Sequence, residues 1–349
     1  MHNLQLTEDQ DLIVDTVKKF VAEAVAPGVL ELDEHRTYAG EWLAGLAELG
    51  LFGLCVAEDN GGVGMGFLPL VAALEAIGEQ SASLARLWIG QAQAAAALEA
   101  VGDERLGDVV GGAATATYVG PECGVTFADG KLHGKVELVV AGAQAQLFVL
   151  AVQTAGGPAV AVVDAGAVQR TELRQLGLAS AACARVSFDG VGAAAVTEGA
   201  AAGIAKAALI AQIGSAATAV GGGRAAIAAA RRHASERIAF GKPLLAQQAV
   251  SDKLVESTRQ VEAARHLAWH AARVADLGED ASDAAMLAKL TAVDAMTYAA
   301  DEAIQIHGGF GYTVEYHVER HYRDAKTLEV LDGGHGALRA ALAAKQFAC

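Results

Sequence analysis

Gln305-Ile306-His307-Gly308-Gly309-Phe310-Gly311-Tyr312, running on through Arg323-Asp324-Ala325-Lys326 to Leu331-Asp332-Gly333-Gly334, decides how this chain is read. A helical pattern from Ser282 to His307 breaks at the paired glycines. Without a Cβ, Gly308 and Gly309 let backbone N–H groups approach a phosphate or an adenosine. The same pair also suits a plain helix C-cap. Asp332 stands before two more glycines. A carboxylate there can act as an acid or base in a buried turn, or serve only as a helix N-cap or turn residue.

Working towards the N-terminus, long helical segments are predicted over Gly203 to Ala234, Leu245 to Leu277 and Ser282 to His307, with short ones over Glu315 to Arg323 and His335 to Phe347. Short connections between them predict an antiparallel bundle. Between the first two lies Arg237-Ile238-Ala239-Phe240-Gly241, followed by Gln248, in which the arginine and glutamine offer fixed donors to a pyrophosphate and its ribose. Read alone, Arg237 is also an ordinary surface charge.

Further back the texture turns β-prone. Asp129-Gly130 between Val125-Thr126-Phe127 and Lys131-Leu132 is a hairpin signal, Gln146 to Val152 and Ala159 to Asp164 are short apolar runs, and the last strand-like run, Arg185 to Asp189, ends before Gly190. The first hundred residues are helical again. Thr7 with Gln10 forms a capping-box pattern, and helices are predicted to follow near Glu41 to Leu49, Leu68 to Ile77 and Ser83 to Ala100. The order helix, β, helix excludes a Rossmann domain. It predicts a mainly α fold with a small middle β domain, divided 1–112, 113–199 and 200–349. Gly62 to Gly66 and Val220 to Gly223 follow no strand, so they read as a loop and a close helix contact.

Composition narrows the classes. A chain of 349 residues, 53% hydrophobic with a formal net charge of −15, is built to fold and has no basic patch for nucleic acid. Cys55, Cys123, Cys183 and Cys349 form no CxxC pair, so neither a disulfide framework nor a zinc set is expected, and a reducing, cytoplasmic setting is. The start lacks the charged and apolar regions of a signal peptide. The longest uncharged stretch, Ala207 to Gly223, reads as a packed core helix and not as a membrane span. His266 and His270 share a helix face without a following Glu or a third ligand, so no metal site is expected.

Two of these stretches carry a family resemblance. Arg237 to Gln248 is similar to the R-x-x-F-G-(x)6-Q segment of the flavin-dependent acyl-CoA dehydrogenases. Gln305 to Tyr312, with Glu315, Val318-Glu319-Arg320 and Arg323 to Lys326, is similar to their Q-x-x-G-G-x-G-[YF]…E-x-x-V-E-[RK]…R-D-A-K run. The pieces Leu6 to Gln10, Glu48 to Leu51 and Gly61 to Gly64 fit the same family. The resemblance implies an N-terminal helical domain, a β-barrel and a C-terminal four-helix bundle. It also implies FAD as hydride acceptor and an acyl-CoA substrate, with an electron-transferring flavoprotein as acceptor. By the same resemblance Arg237, Phe240, Gln248, Gln305, Gly308 and Gly309 contact FAD held mainly by a neighbouring subunit, in a homotetramer or an α2β2 assembly.

Asp332 falls where the family carries the glutamate that removes the substrate α-proton. Burial beside a flavin is expected to raise its pKa towards neutrality. The side chain is one methylene shorter, so its carboxylate sits roughly 1 Å further back, a misplacement able to cost about a hundredfold in rate. The earlier-helix position that some members use for their base is Ala211 here, followed by Gln212.

The chain departs from the family mostly in the β region. Tyr118-Val119-Gly120-Pro121-Glu122-Cys123-Gly124-Val125 stands where T-E-P-G-[AS]-G-S-D is usual, and Lys135 to Val140 lacks the W-I-[ST]-N segment beside the flavin ring. Gly334 stands where the family has the threonine after the base's glycine, and Leu209 to Gln212 is largely apolar. Three readings follow: a dehydrogenase using Asp332, a largely non-catalytic partner subunit of an α2β2 dehydrogenase, and a flavin oxidase or monooxygenase.

Overall fold

The structure, a computed structural model, describes residues 4–347. The start at residues 1–3 and Cys349 lie outside them. Thr7 caps α1 (Glu8–Phe20) as the capping box requires, its hydroxyl accepting from Gln10 N and the Gln10 side chain accepting from Thr7 N. A π-helical turn, Val21–Val25, leads to α2 (Val29–His35), which the periodicity had not marked, and then to α3 (Gly40–Glu48). After Gly50, in the left-handed region at φ 73°, the chain turns through a loop into α4 (Phe67–Gln80), α5 (Ala82–Val101) and the short α6 (Leu106–Val110).

The middle region holds β1 (Ala116–Val119), β2 (Thr126–Ala128), β3 (Lys131–His133), β4 (Lys135–Val139), β5 (Leu147–Thr154), β6 (Gly157–Asp164), β7 (Gln169–Glu172), β8 (Ala184–Ser187), β9 (Val191–Gly192) and β10 (Ala195–Glu198). Among the described residues they form three small sheets, ordered β1-β5-β6-β10, β2-β3-β9 and β4-β8-β7. Asp129 and Gly130 both take positive φ, 52° and 76°, the type I′ geometry that joins β2 to β3. Strands run past Gly190, contrary to the expectation above. β9 and β10 are short and half-exposed, and they form by pairing with β3 and β6 without an apolar run of their own.

The C-terminal part is α7 (Ala201–Glu236), the hairpin β11 (Ile238–Ala239) and β12 (Lys242–Pro243), α8 (Gln248–Asp276), α9 (Ser282–His307), α10 (Glu319–Val330) and α11 (Gly334–Phe347). The helix predicted over Glu315 to Arg323 starts later and runs longer, because Val314–Tyr316 forms a 3-10 turn before it. α7 is the central pillar and packs against α4, α5, α8 and α9. Gly221 makes that approach possible, since an added Cβ would sit 2.2 Å from Glu75 O on α4. By length and composition α7 could cross a membrane, but 67% of its most apolar window is buried within the chain, as suits a core helix. Cys55, Cys123 and Cys183 are free thiols. His266 and His270 are exposed on α8.

Candidate active site

The domains meet at Asp332, in the turn between α10 and α11. Three successive residues there, Asp332, Gly333 and Gly334, have φ of 52°, 83° and 70°. Aspartate tolerates that region better than bulkier residues, and the tight turn aims its carboxylate inward. Arg86 of α5 meets it from the N-terminal domain, Nη2 to Oδ1 at 3.2 Å. Lys289 of α9 meets it from the bundle, Nζ to Oδ2 at 3.2 Å, and also donates to Leu331 O at 2.5 Å. Ser215 of α7 accepts from Arg86 Nη1 at 3.1 Å and donates to Asp332 Oδ2 at 3.4 Å. From the β side Glu122 faces the same group.

Electrostatics follows from this geometry. Burial alone raises an aspartate's pKa, but here Arg86 and then Lys289 outweigh it and hold Asp332 at about 2. The expected shift towards neutrality is therefore reversed, because two cations share one carboxylate. Lys289 is lowered by burial, against the pull of Asp332 and with Arg86 repelling it. The pair is dominated by the depressed Asp332, because two cations share its carboxylate. Glu122 is raised, first by burial and then by the charge of Asp332.

Little room is left. The cavity bounded by Arg86, Gln93, Tyr118, Glu122, Val140 and Asp332 measures about 40 Å³. That admits a few waters, against the roughly 300–1,000 Å³ of a small-molecule site. Arg86 Nε and Tyr118 Oη on its wall are buried without partners among the described residues.

At the far end of the bundle the sequence-predicted dinucleotide residues come together. His233, one turn before Arg237, stacks on His307 at 4.3 Å between ring centroids, which ties the end of α7 to the end of α9. Arg237, Phe240, Gln248, Gln305, Gly308 and Gly309 are all exposed there. Phe240 is 95% exposed, and Phe310 and Tyr312 also show large exposed surface. Gly308 has φ 63°, which explains a glycine, but Gly309 has an ordinary φ and nothing within 4 Å of an added Cβ. Gly311 contrasts with it, since its Cβ would lie 2.4 Å from Ile304 O. Gly311 is required by packing; nothing among the described residues requires Gly309.

The family model for the acyl-CoA dehydrogenase N-terminal domain matches residues 7–108, and that for the C-terminal domain matches 203–347. This chain belongs to the acyl-CoA dehydrogenase family. An acyl-CoA dehydrogenase of Bacillus subtilis is 28% identical over 95% of this chain and 96% of its own length. Benzylmalonyl-CoA dehydrogenase of Aromatoleum aromaticum is 29% identical over 99% of each chain. The solved butyryl-CoA dehydrogenase of Megasphaera elsdenii superposes with a TM-score of 0.89 at 26% identity, covering 99% of both chains. Membership brings FAD as the cofactor and oxidoreduction at CH–CH bonds as the reaction class.

The fit of FAD to this acyl-CoA dehydrogenase fold divides in two. The exposed face around Gly309 leaves space for a dinucleotide reaching in from outside, with donors at Arg237 and Gln248. The cleft at Asp332 does not fit an isoalloxazine ring. It is filled by the ion-paired side chains and by Glu122, which follows Pro121 where the family segment has a glycine. The sequence reading missed Arg86, Ser215, Lys289 and Glu122.

Proposed function

We propose that this chain is a subunit of an acyl-CoA dehydrogenase assembly that completes a neighbour's FAD site, while its own cleft is closed. In the neighbouring subunit FAD supplies the two-electron acceptor. This chain's part is binding: Arg237 and Gln248 donate to the pyrophosphate and ribose, Gly308 and Gly309 admit the backbone approach, and Phe240 shields the group from water. The observation that carries the reading is the double ion pair on Asp332 inside a cavity of about 40 Å³. A carboxylate held near 2 is also a poor acceptor for an α-proton at neutral pH.

An absorbance spectrum tests this. The chain purified alone is expected to be folded and colourless, and to take up flavin when it assembles with a second chain of the family. Stoichiometric FAD in a homo-oligomer of this chain, bleached by an acyl-CoA, would overturn the proposal.

The other reading, a dehydrogenase in which Asp332 takes the α-proton of the thioester, is favoured by the carboxylate's place on the cleft wall between β domain and bundle. It requires Asp332 to leave both cations when substrate enters. Acyl-CoA-dependent flavin reduction that Asp332→Asn abolishes would support it.

A further inference from the structure

A second cleft, well supplied with cations, lies where α2 and the end of α4 meet α7 and the start of α10. Its volume is about 500 Å³, within the range of small-molecule sites. Between Arg224 and Arg232 the α7 wall presents Ala225, Ala228 and Ala229, so the middle of that wall carries only methyl groups. None of Arg237, Phe240, Gln248, Gln305, Gly308 or Gly309 lines it; Tyr316 at its rim stacks on Phe310 at 5.0 Å between ring centroids, so the cleft borders the face turned towards a neighbour's FAD without sharing its donors.

Three guanidinium groups border this cleft, from Arg224, Arg232 and Arg320, facing the single carboxylate of Glu79. Arg224 is already engaged by Glu262 at 2.6 Å. Arg232 is exposed and makes no hydrogen bond or ion pair among the described residues. Arg320 is only 7% exposed. Its Nη1 donates to Gln80 O at 2.6 Å, but its Nε is buried with no partner among the described residues. A buried charged donor left without an acceptor is unfavourable unless something supplies one. Burial pushes the Glu79 carboxyl up, against the pull of Arg224, so it competes weakly as an internal anion. Tyr316, 42% exposed, stands at the rim. A planar fork of donors suits phosphate oxygens, and the remaining space with an aromatic edge suits a ring attached to them.

We propose that this cleft binds the phosphate end of a nucleotide, with Arg320 and Arg232 holding the phosphate and Tyr316 flanking the base. The site does not depend on how the Asp332 cleft is read.

Isothermal titration of the full chain with AMP, adenosine and inorganic phosphate tests it. AMP is expected to bind, phosphate more weakly and adenosine least, with affinity falling as salt rises. Arg232→Gln, an exposed change that should leave the melting midpoint alone, is expected to weaken AMP binding about tenfold, the loss of one charge-assisted contact. Arg237→Ala is expected to leave AMP binding unchanged. No AMP binding, equal binding by the Arg232 variant, or loss in the Arg237 variant instead would each overturn the site, the last by assigning the anion to the shared FAD face.

Discussion

Lys289 Nζ reaches Asp332 Oδ2 at 3.2 Å from a side chain with no solvent exposure, and Arg86 takes the other carboxylate oxygen at the same distance. Two cations from different domains are thus desolvated around one anion. Such a cluster is tolerable only while every member is present, because each charge left alone in the interior is strongly unfavourable.

Removing the anion should therefore be costly. Asp332→Asn leaves Arg86 and Lys289 facing each other, and breaking a buried pair costs about 3–5 kcal/mol. Urea unfolding at neutral pH measures it. A loss below about 1 kcal/mol would mean that the ion pairs do not hold the cleft shut.

The same group sets an acid limit. Its folded value of about 2 lies below the ordinary 3.8, so its charge stabilises the fold fully above about pH 4. That contribution, about 2 kcal/mol, is lost as pH falls from about 4 to about 2. The stability gap between parent and Asp332→Asn should narrow by that amount over this window and stay flat between about pH 5 and 8. A gap that instead changes near neutrality would show that the carboxylate titrates there.

Lys289 and Asp332 should behave as one unit. Lys289→Met removes a buried ammonium and leaves Arg86 to neutralise the carboxylate. The double variant with Asp332→Asn should be less destabilised than the sum of the singles, with a coupling of about 1–3 kcal/mol. Additive losses would dissolve the unit into separate contacts.

The two glycines of the α9 exit make opposite predictions. Gly311→Ala forces a Cβ to 2.4 Å from Ile304 O and should destabilise the isolated chain by more than about 1 kcal/mol. Gly309→Ala meets nothing among the described residues, so its melting midpoint should not move by more than a surface change would. FAD retention in the assembly should nevertheless fall. Unchanged retention would leave Gly309 without a role.

Much of this fold was legible because its signals are local. The Thr7 capping box, the Asp129-Gly130 turn and the glycine stops each depend on a few neighbouring residues, and all appear as read. The position of Asp332 was legible as well, through its place in the motif. Its partners were not, because Arg86, Ser215 and Lys289 are far apart in sequence and converge only when α5, α7 and α9 pack. A signal did exist: Arg86 and Lys289 are lone charges within helices whose neighbouring residues are almost all buried and apolar. A charge in such a setting is rarely left unpaired. Direction of the pKa shift was misread for the same reason, since burial is visible in a sequence and the cations around a group are not.

Phe240 offers the sharpest separation of folding from assembly. Its φ is 53°, a conformation that costs a bulky residue roughly 1–3 kcal/mol, and its ring is 95% exposed. Neither feature helps the isolated chain: the backbone is strained and the apolar surface lies in water. Asparagine accepts the left-handed region with less strain and is soluble. Phe240→Asn should therefore hold or raise the melting midpoint of the chain alone, and lower the FAD content of the assembly as the dinucleotide loses its apolar cover. A clear fall in the midpoint of the isolated chain would mean that the ring packs within its own subunit, and the face around Gly309 would no longer read as one made to be covered.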